Sequence, residues 1–478
     1  MSAGVIVKKL KTPHGQVSFT AYKALNEKLA KEVDAAVTEI FDSLGGSSLL
    51  KDSGEVYIKP NAVDSKPYSH TRPEVIRAVI GYWKSRGARL IFLFENSTQA
   101  NFTRLVFKTV GYTKICRDTG CKPVYLDEEE STSLSFKDRP LPNEADNPVY
   151  DLAEFAMPTT VMKLINEREK HLYINVPKLK THSMGVVTLG IKNQWGFPMQ
   201  KSRGFDHNFN LHHKLTDILG YIKPDIVLID GIEGTIHGHY FPTALADKQV
   251  KPFLTLLGSA NVVAADIAGA GIFGLKIADV PHLKLAVERG FSGGVKSESD
   301  IILSGDVTDF SDLYHNPDQP QEKHYPWDLF PQFPADVRLV TGQERYCPEG
   351  CRNNPLCLLQ TLSLDFQGKG GWTLVAGKGH DKEAIESIKG RVLIAGHCAI
   401  EEVADQLTAR LGKKNVYLSG ECNNLCATAE AMLHLMKVNP LKLVPLNSLK
   451  SSAGYLTARL KGSCSRVPHP LSHILKRV

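Results

Sequence analysis

Residues 172–196 read LYINVPKLKTHSMGVVTLGIKNQWG. An apolar run comes first, and Pro177 closes it because proline has no N–H to give to a sheet ladder. Lys178, Lys180, Thr181 and His182 follow at once, with Lys192 and Asn193 after a second apolar run. Ammonium groups and an imidazole just past a strand end can bind an anion, stabilise developing negative charge and deliver a proton. Open α/β sheets bind their ligands at that edge. Lys180, His182, Lys192 and His207 are therefore the candidate catalytic residues. Lys59, Asn61, Lys178, Asn193, His212 and His237 are the candidate binding residues. Lys59 and Asn61 also follow a strand end. His212 belongs to a histidine-rich helix preceded by His207, and helix N-termini favour anions. His237 lies in GTIHGHYFP, where glycine lets a backbone approach a ligand closely. His213, Asp230 and His239 are further candidates, and Glu95 and Asn96 are expected on the same rim as Lys59 and Asn61.

The second group is sulfur. Nine cysteines occur, and seven lie in the last third of the chain. In CPEGC, a turn built on Pro and Gly aims Cys347 and Cys351 at one point. VLIAGHCA and VYLSGECN share one plan: apolar strand, small residue, Gly, any residue, Cys. Two parallel strands would thus present Cys398 and Cys422 at a single sheet edge. Soft thiolates bind iron–sulfur clusters, usually four to a cluster. Cys347, Cys351, Cys398 and Cys422 form the expected set for a 4Fe-4S cluster, with Cys357 or Cys426 as a replacement or a ligand of a second one. A four-cysteine zinc site would use the same ligands, and buried cysteines without a metal are common. The ferredoxin run C-x2-C-x2-C-x3-C is absent. Cys116 and Cys121 stand apart and read as ordinary buried residues.

These groups need a scaffold. Strand patterns near 5–9, 55–59, 88–94, 124–126, 172–176, 224–229 and 253–258 alternate with helical patterns at 21–44, 73–86, 102–110, 206–221 and 261–273. Such alternation predicts an α/β domain with a mostly parallel sheet over residues 1–308. Residues 309–335, rich in Pro, Asp and aromatics, read as a linker. Residues 336–450 form a smaller α/β domain carrying the clustered cysteines, and 451–478 an irregular basic tail. The net charge of +6 over 478 residues is mild, and no long basic run suggests nucleic acid. No apolar run reaches the roughly 18 residues that span a bilayer. The N-terminus lacks a signal-peptide core. A cytoplasmic protein without membrane or nucleic-acid partners is expected.

YIKPNAV, TRPEVIRAVIGYWKSRGA, NVPKLKTHSMGVVTLGIKNQWG, PDIVLIDGIEG and NVVAADIAGAGIFG together resemble the domain-of-unknown-function 362 family over about residues 5–305. The resemblance implies an α/β fold distantly similar to lactate racemase, whose nickel cofactor is held by Lys and His; it does not imply that cofactor here. Members are often iron–sulfur proteins, and CPEGC, AGHC and SGEC are similar to cysteine segments that follow the domain in some of them. This chain has Gly238–His239–Tyr240 where the family often has a glycine–proline pair, and it lacks the two-cluster ferredoxin insert. The expected function is an iron–sulfur oxidoreductase that takes electrons from a redox partner protein and reduces a small anionic or carbonyl substrate. The alternatives are a racemase, lyase or ligase with a structural cluster, and an electron-transfer subunit with no substrate of its own.

Overall fold

The computed structural model describes residues 3–13, 23–135, 154–202, 207–313, 332–422, 424–443 and 448–468. Most of the expected linker, 314–331, lies outside the described residues, as do 203–206 and 469–478.

The large sheet contains β1 (Ala3–Lys9), β2 (Glu55–Pro60), β3 (Leu90–Glu95) and β4 (Lys122–Tyr125). After a separate antiparallel pair, β5 (Ser131–Ser135) and β6 (Glu154–Pro158), it resumes with β7 (Leu172–Val176), β8 (Lys178–His182) and β9 (Val186–Thr188). It ends with β10 (Ile226–Thr235), β11 (Val250–Ser259) and β12 (Ile301–Gly305). Strand order is β12-β1-β11-β10-β7-β2-β3-β4, with β8 alongside β10 and β9 alongside β8. Pairs β2–β3, β3–β4, β2–β7, β7–β10, β8–β10 and β1–β12 are parallel; β11 runs antiparallel to both neighbours. The chain leaves β2 toward β3 and β4, then returns to place β7 on the other side of β2. That reversal opens a crevice at the carboxyl ends of β2 and β7.

Burial explains the sequence pattern. Strands β7 and β10 are buried along their whole length, as expected of strands covered on both faces. Helices Glu27–Ser43 and Pro73–Ser85 cover one face through Val33, Val37, Ile40, Ile76, Val79 and Trp83. The small-residue helix Val262–Gly271 is buried throughout and packs with the other core, its N-terminus capped by Asn261.

The second sheet, β13 (Val337–Thr341), β14 (Trp372–Ala376), β15 (Arg391–Ala395) and β16 (Val416–Leu418), is all parallel in that order. It docks on the large domain where Thr243 N–H donates to Asp365 (2.7 Å) and Asn353 to the Ser183 carbonyl. Two expectations are corrected. Residues 178–182 do not simply follow the end of the sheet strand. They form a second strand, because β10 runs on to Thr235 and offers Asp230 and Thr235 as pairing partners for Lys178 and Lys180. The tail is not irregular throughout: Ser448–Leu460 is a helix, and Ser463 and Ser465 donate to the buried Asp127 carboxylate.

Candidate functional site

The expected residues fall into two sets at the carboxyl edge of the large sheet. In the first, every cation meets a carboxylate. Lys59 bonds Glu95 at 2.5 Å, Lys178 bonds Asp230 at 3.0 Å and Glu233 at 3.2 Å, and Arg72 also pairs with Glu233. Lys59 and Lys178 have no solvent exposure. Asn61, Asn193 and Asn175 form a neighbouring amide chain, Asn61 donating to Asn193 (2.9 Å) and Asn193 to Asn175 (2.7 Å). These side chains tie β2, β3, β7, β8 and β10 together.

The second set is a closely packed cluster of histidines and lysines, the histidine chamber. The His182 and His239 rings stack at 3.8 Å, and His207 lies parallel to His182 at 5.5 Å. His212 meets His282, ring nitrogen to ring nitrogen, at 3.1 Å. His182, His207, His212 and Lys192 are 5–7% exposed, so each keeps a sliver of accessible surface that Lys59 and Lys178 lack. Burial holds the His182 imidazole well below its usual range, and His239, Lys192, His207 and Lys180 press it further down. The same forces keep His239 and His282 neutral, and His212 is brought down to about 3. His182 Nδ1 accepts the N–H groups of Met184 (3.1 Å) and Gly185 (3.0 Å), so the neutral ring carries its proton on Nε2. Lys180 bonds the Ser69 carbonyl, and burial lowers its ammonium to about 8.

Local sequence explains these positions. Lys192 and Asn193 sit on the one-turn helix Gly190–Asn193, whose first N–H groups are held by Asp266: Gly190 at 2.7 Å and Ile191 at 2.8 Å. Gly185 leaves room for the Lys192 stem, since a Cβ there would lie 2.9 Å from Lys192 Cε. His237 takes a positive φ of 59° and is set by its backbone: its carbonyl accepts from Gln249 (3.0 Å), and the next N–H, of Gly238, donates to Thr181 (2.8 Å).

The sulfur residues converge. Cys347, Cys351, Cys398 and Cys422 all line one cavity of about 500 Å³, with Asn208 and Phe209 of the large domain forming part of its wall. Strands β15 and β16 run in parallel register and bring Cys398 and Cys422 to one edge, as their shared plan implies. The CPEGC segment is a single π-helical turn, Pro348–Arg352. Burial pushes the Cys347 thiol up to about 12 and Cys351 to about 11, and neighbouring thiols add to both shifts. A cationic centre would relieve that crowding of incipient thiolates. Among the described residues no three His, Cys, Asp or Glu side chains converge closely enough to share one ion; the four cysteines stand around a wider space. Cys357 and Cys426 do not line the cavity: the Cys357 thiol bonds Ser183 Oγ (3.3 Å) and that of Cys426 the Arg466 carbonyl (2.9 Å). Cys116 and Cys121, far from this site in sequence, are buried with their thiols hydrogen-bonded to each other.

The two sites share a wall. Gly350, between the paired cysteines of the turn, packs against the His207 carbonyl, where a Cβ would come within 2.9 Å. The family described as Domain of unknown function (DUF362) matches residues 56–271. Over those residues the chain is similar to that family. The match spans the first polar set and all of the second except His282, and it ends before the four cysteines. The chain is also similar to Thylakoid-associated protein sll1697 of Synechocystis sp., 25% identical over 275 residues, covering 54% of this chain and 75% of that protein. Among the described residues no helix is long and apolar enough to cross a membrane.

Residue-by-residue reading missed His282, Ser183, Asn353 and Glu233. His282 lies in a helix far from any other candidate. Glu233 lies three residues past Asp230 in IDGIEG, where regular alternation would turn it to the opposite face, and the register shift between Gly231 and Glu233 brings both carboxylates to Lys178.

Proposed function

We propose that the protein is an iron–sulfur oxidoreductase in which Cys347, Cys351, Cys398 and Cys422 hold a 4Fe-4S cluster and the histidine chamber of the large domain binds a small anionic or carbonyl substrate. The observation that carries the reading is the convergence of four cysteines, drawn from three separate segments, on a cavity that shares the His207–Asn208 wall with that chamber. A space ringed by four thiols suits a polynuclear centre, which spreads its ligands, better than one tetrahedral ion. When bound, the cluster would supply single electrons, received from a redox partner protein. The chain's own groups do the rest. Lys192 and Lys180 place positive charge where a carbonyl or carboxylate oxygen gains electron density. His182 is neutral, so it serves as an Nε2–H hydrogen-bond donor. Lys180, lowered to about 8, is the group suited to giving up a proton near neutral pH. A cytoplasmic location fits this reading, and fractionation of the expressing cells checks it, since the Synechocystis relative is named for its association with thylakoids.

Purification without oxygen tests the proposal. The expected result is about four iron and four sulfide per chain, with broad absorbance near 400 nm that Cys351→Ser removes. Colourless protein with one zinc per chain would overturn it. Catalysis should fall as pH rises past about 8, where Lys180 loses its proton, and Lys180→Arg should move that limb upward.

A further inference from the structure

The turn that carries His182 is held in place by the helix that begins where the cysteine turn ends. Helix Asn353–Phe366 starts immediately after the π turn bearing Cys351. Its first residue, Asn353, donates through Nδ2 to the Ser183 carbonyl, and one turn later the Cys357 thiol donates to Ser183 Oγ at 3.3 Å. Ser183 is fully buried beneath these contacts. It is the apex of the turn in which Met184 and Gly185 give their N–H groups to His182 Nδ1. The turn then exits through Val186 at φ +65°. That region is sterically hostile to a β-branched residue, and such a conformation persists only where its surroundings over-determine it. The Lys192 stem crosses the same turn at Gly185. One strained turn thus sets two chamber residues, and its outer side is gripped by the segment next to Cys351.

The geometry points to Asn353 and Cys357 as positioning residues that make the order of the histidine chamber depend on the loading of the cysteine cavity. The inference rests on the cluster reading above. Fixing Cys347 and Cys351 on a common centre fixes the π turn and the first turn of helix Asn353–Phe366. That keeps the grip on Ser183 and holds Val186 in its strained state, with His182 and Lys192 aimed into the chamber. Without that grip, Val186 relaxes to extended backbone, and the two N–H bonds to His182 are lost. The two sites are coupled through an element with two arrangements, each biased by a named contact.

Hydrogen exchange read by mass spectrometry on the full chain tests this without an activity assay. Three samples are compared: protein purified without oxygen, the same protein stripped of iron by a chelator, and unstripped Asn353→Ala. Amides in 183–187 are expected to exchange about tenfold faster in the stripped protein and in Asn353→Ala, the ratio that loss of one ordinary hydrogen bond allows. Cys357→Ser, which keeps a donor to Ser183, should exchange like the parent. Adding Val186→Gly to Asn353→Ala should return the rate to within about threefold of the parent, because glycine holds positive φ at no steric cost. Equal rates in iron-loaded, stripped and Asn353→Ala protein would overturn the inference while leaving the cluster reading intact. Iron and sulfide measured on the same samples separate the two: protein that never holds iron ends the cluster reading, and this inference with it.

Discussion

Lys178 and Lys180 sit on the same strand, both buried, and meet opposite surroundings. Lys178 lies between Asp230 and Glu233 in a set where each cation has its carboxylate. Lys180 bonds a backbone carbonyl beside the histidine chamber; Asp64 and Glu95 act on it only at a distance, and burial outweighs them. A buried charge with its partner is architecture, and removing one side strands the other. A buried base with its proton weakly held is available for chemistry. The contrast teaches that a count of lysines along a strand end does not locate a site; the carboxylates facing them decide.

The largest expected effect is on the acid side. His70, His182, His212 and His282 are buried and His239 is half-buried, all with imidazoles held below their usual range, His70 and His212 at about 3, and desolvation is the leading cause in each case. The unfolded chain takes up these protons near pH 6.5 and the folded chain does not. Stability present above pH 6.5 is therefore lost as pH falls toward the folded values, by up to about 1.4 kcal/mol per pH unit for each histidine. Urea titrations from pH 7 to 5 should show a steep fall in midpoint, and His212→Gln should flatten it. A flat profile would mean that the chamber is open to water and the contrast with the paired lysines is false.

Next in size is the lysine pair itself. Lys178→Met leaves Asp230 and Glu233 with Arg72 alone and should cost about 3–5 kcal/mol in equilibrium unfolding. Lys180→Met removes a cation that burial already disfavours, and should change stability by no more than about 1 kcal/mol while abolishing the proposed proton delivery. Equal losses would erase the distinction.

Much of the scaffold was legible in the residues. Alternating strand and helix patterns gave the parallel sheet, and the repeated small-Gly-x-Cys plan placed Cys398 and Cys422 at one edge because parallel strands in register end together. Charge pairing was not legible, since Lys59 and Glu95 or Lys178 and Asp230 meet only after crossover connections close. Nor was the strand at Lys178–His182: Pro177 lacks an N–H, but its carbonyl still accepts from Asp230 N–H at 2.9 Å and lets the sheet continue. The grip of Asn353 on Ser183 joins segments from two sheets, and no local pattern marks it.

Asp266 sharpens the comparison at a smaller scale. It is a buried carboxylate with no cation among its leading influences: burial pushes it up to about 7, and the N–H groups of Ile191 and Gly190 pull it back. Asn at this position accepts through one oxygen only, so one of the two N–H groups loses its partner. Asp266→Asn should cost about 1–3 kcal/mol and loosen the short helix that carries Lys192. The pH sign is opposite to that of the histidines. A carboxyl with a raised folded value contributes stability at acid pH that is lost as pH rises from about 3.9 toward 7, so the parent-minus-variant difference should shrink over that range.

The smallest effect expected is at His239. Its ring stacks flat on His182 at 3.8 Å, and among the described residues its Nδ1 has no hydrogen-bond partner. Phe keeps an aromatic face against His182 and removes a buried nitrogen that gains nothing from the fold. His239→Phe should therefore leave stability at pH 7 within about 1 kcal/mol of the parent and reduce the acid-side slope by about one proton. The same substitution in a paired region would be costly, because a polar partner would be stranded. If His239→Phe costs as much as Lys178→Met, the ring is part of the architecture, and the boundary between the carboxylate-paired edge and the chamber must be moved to exclude it.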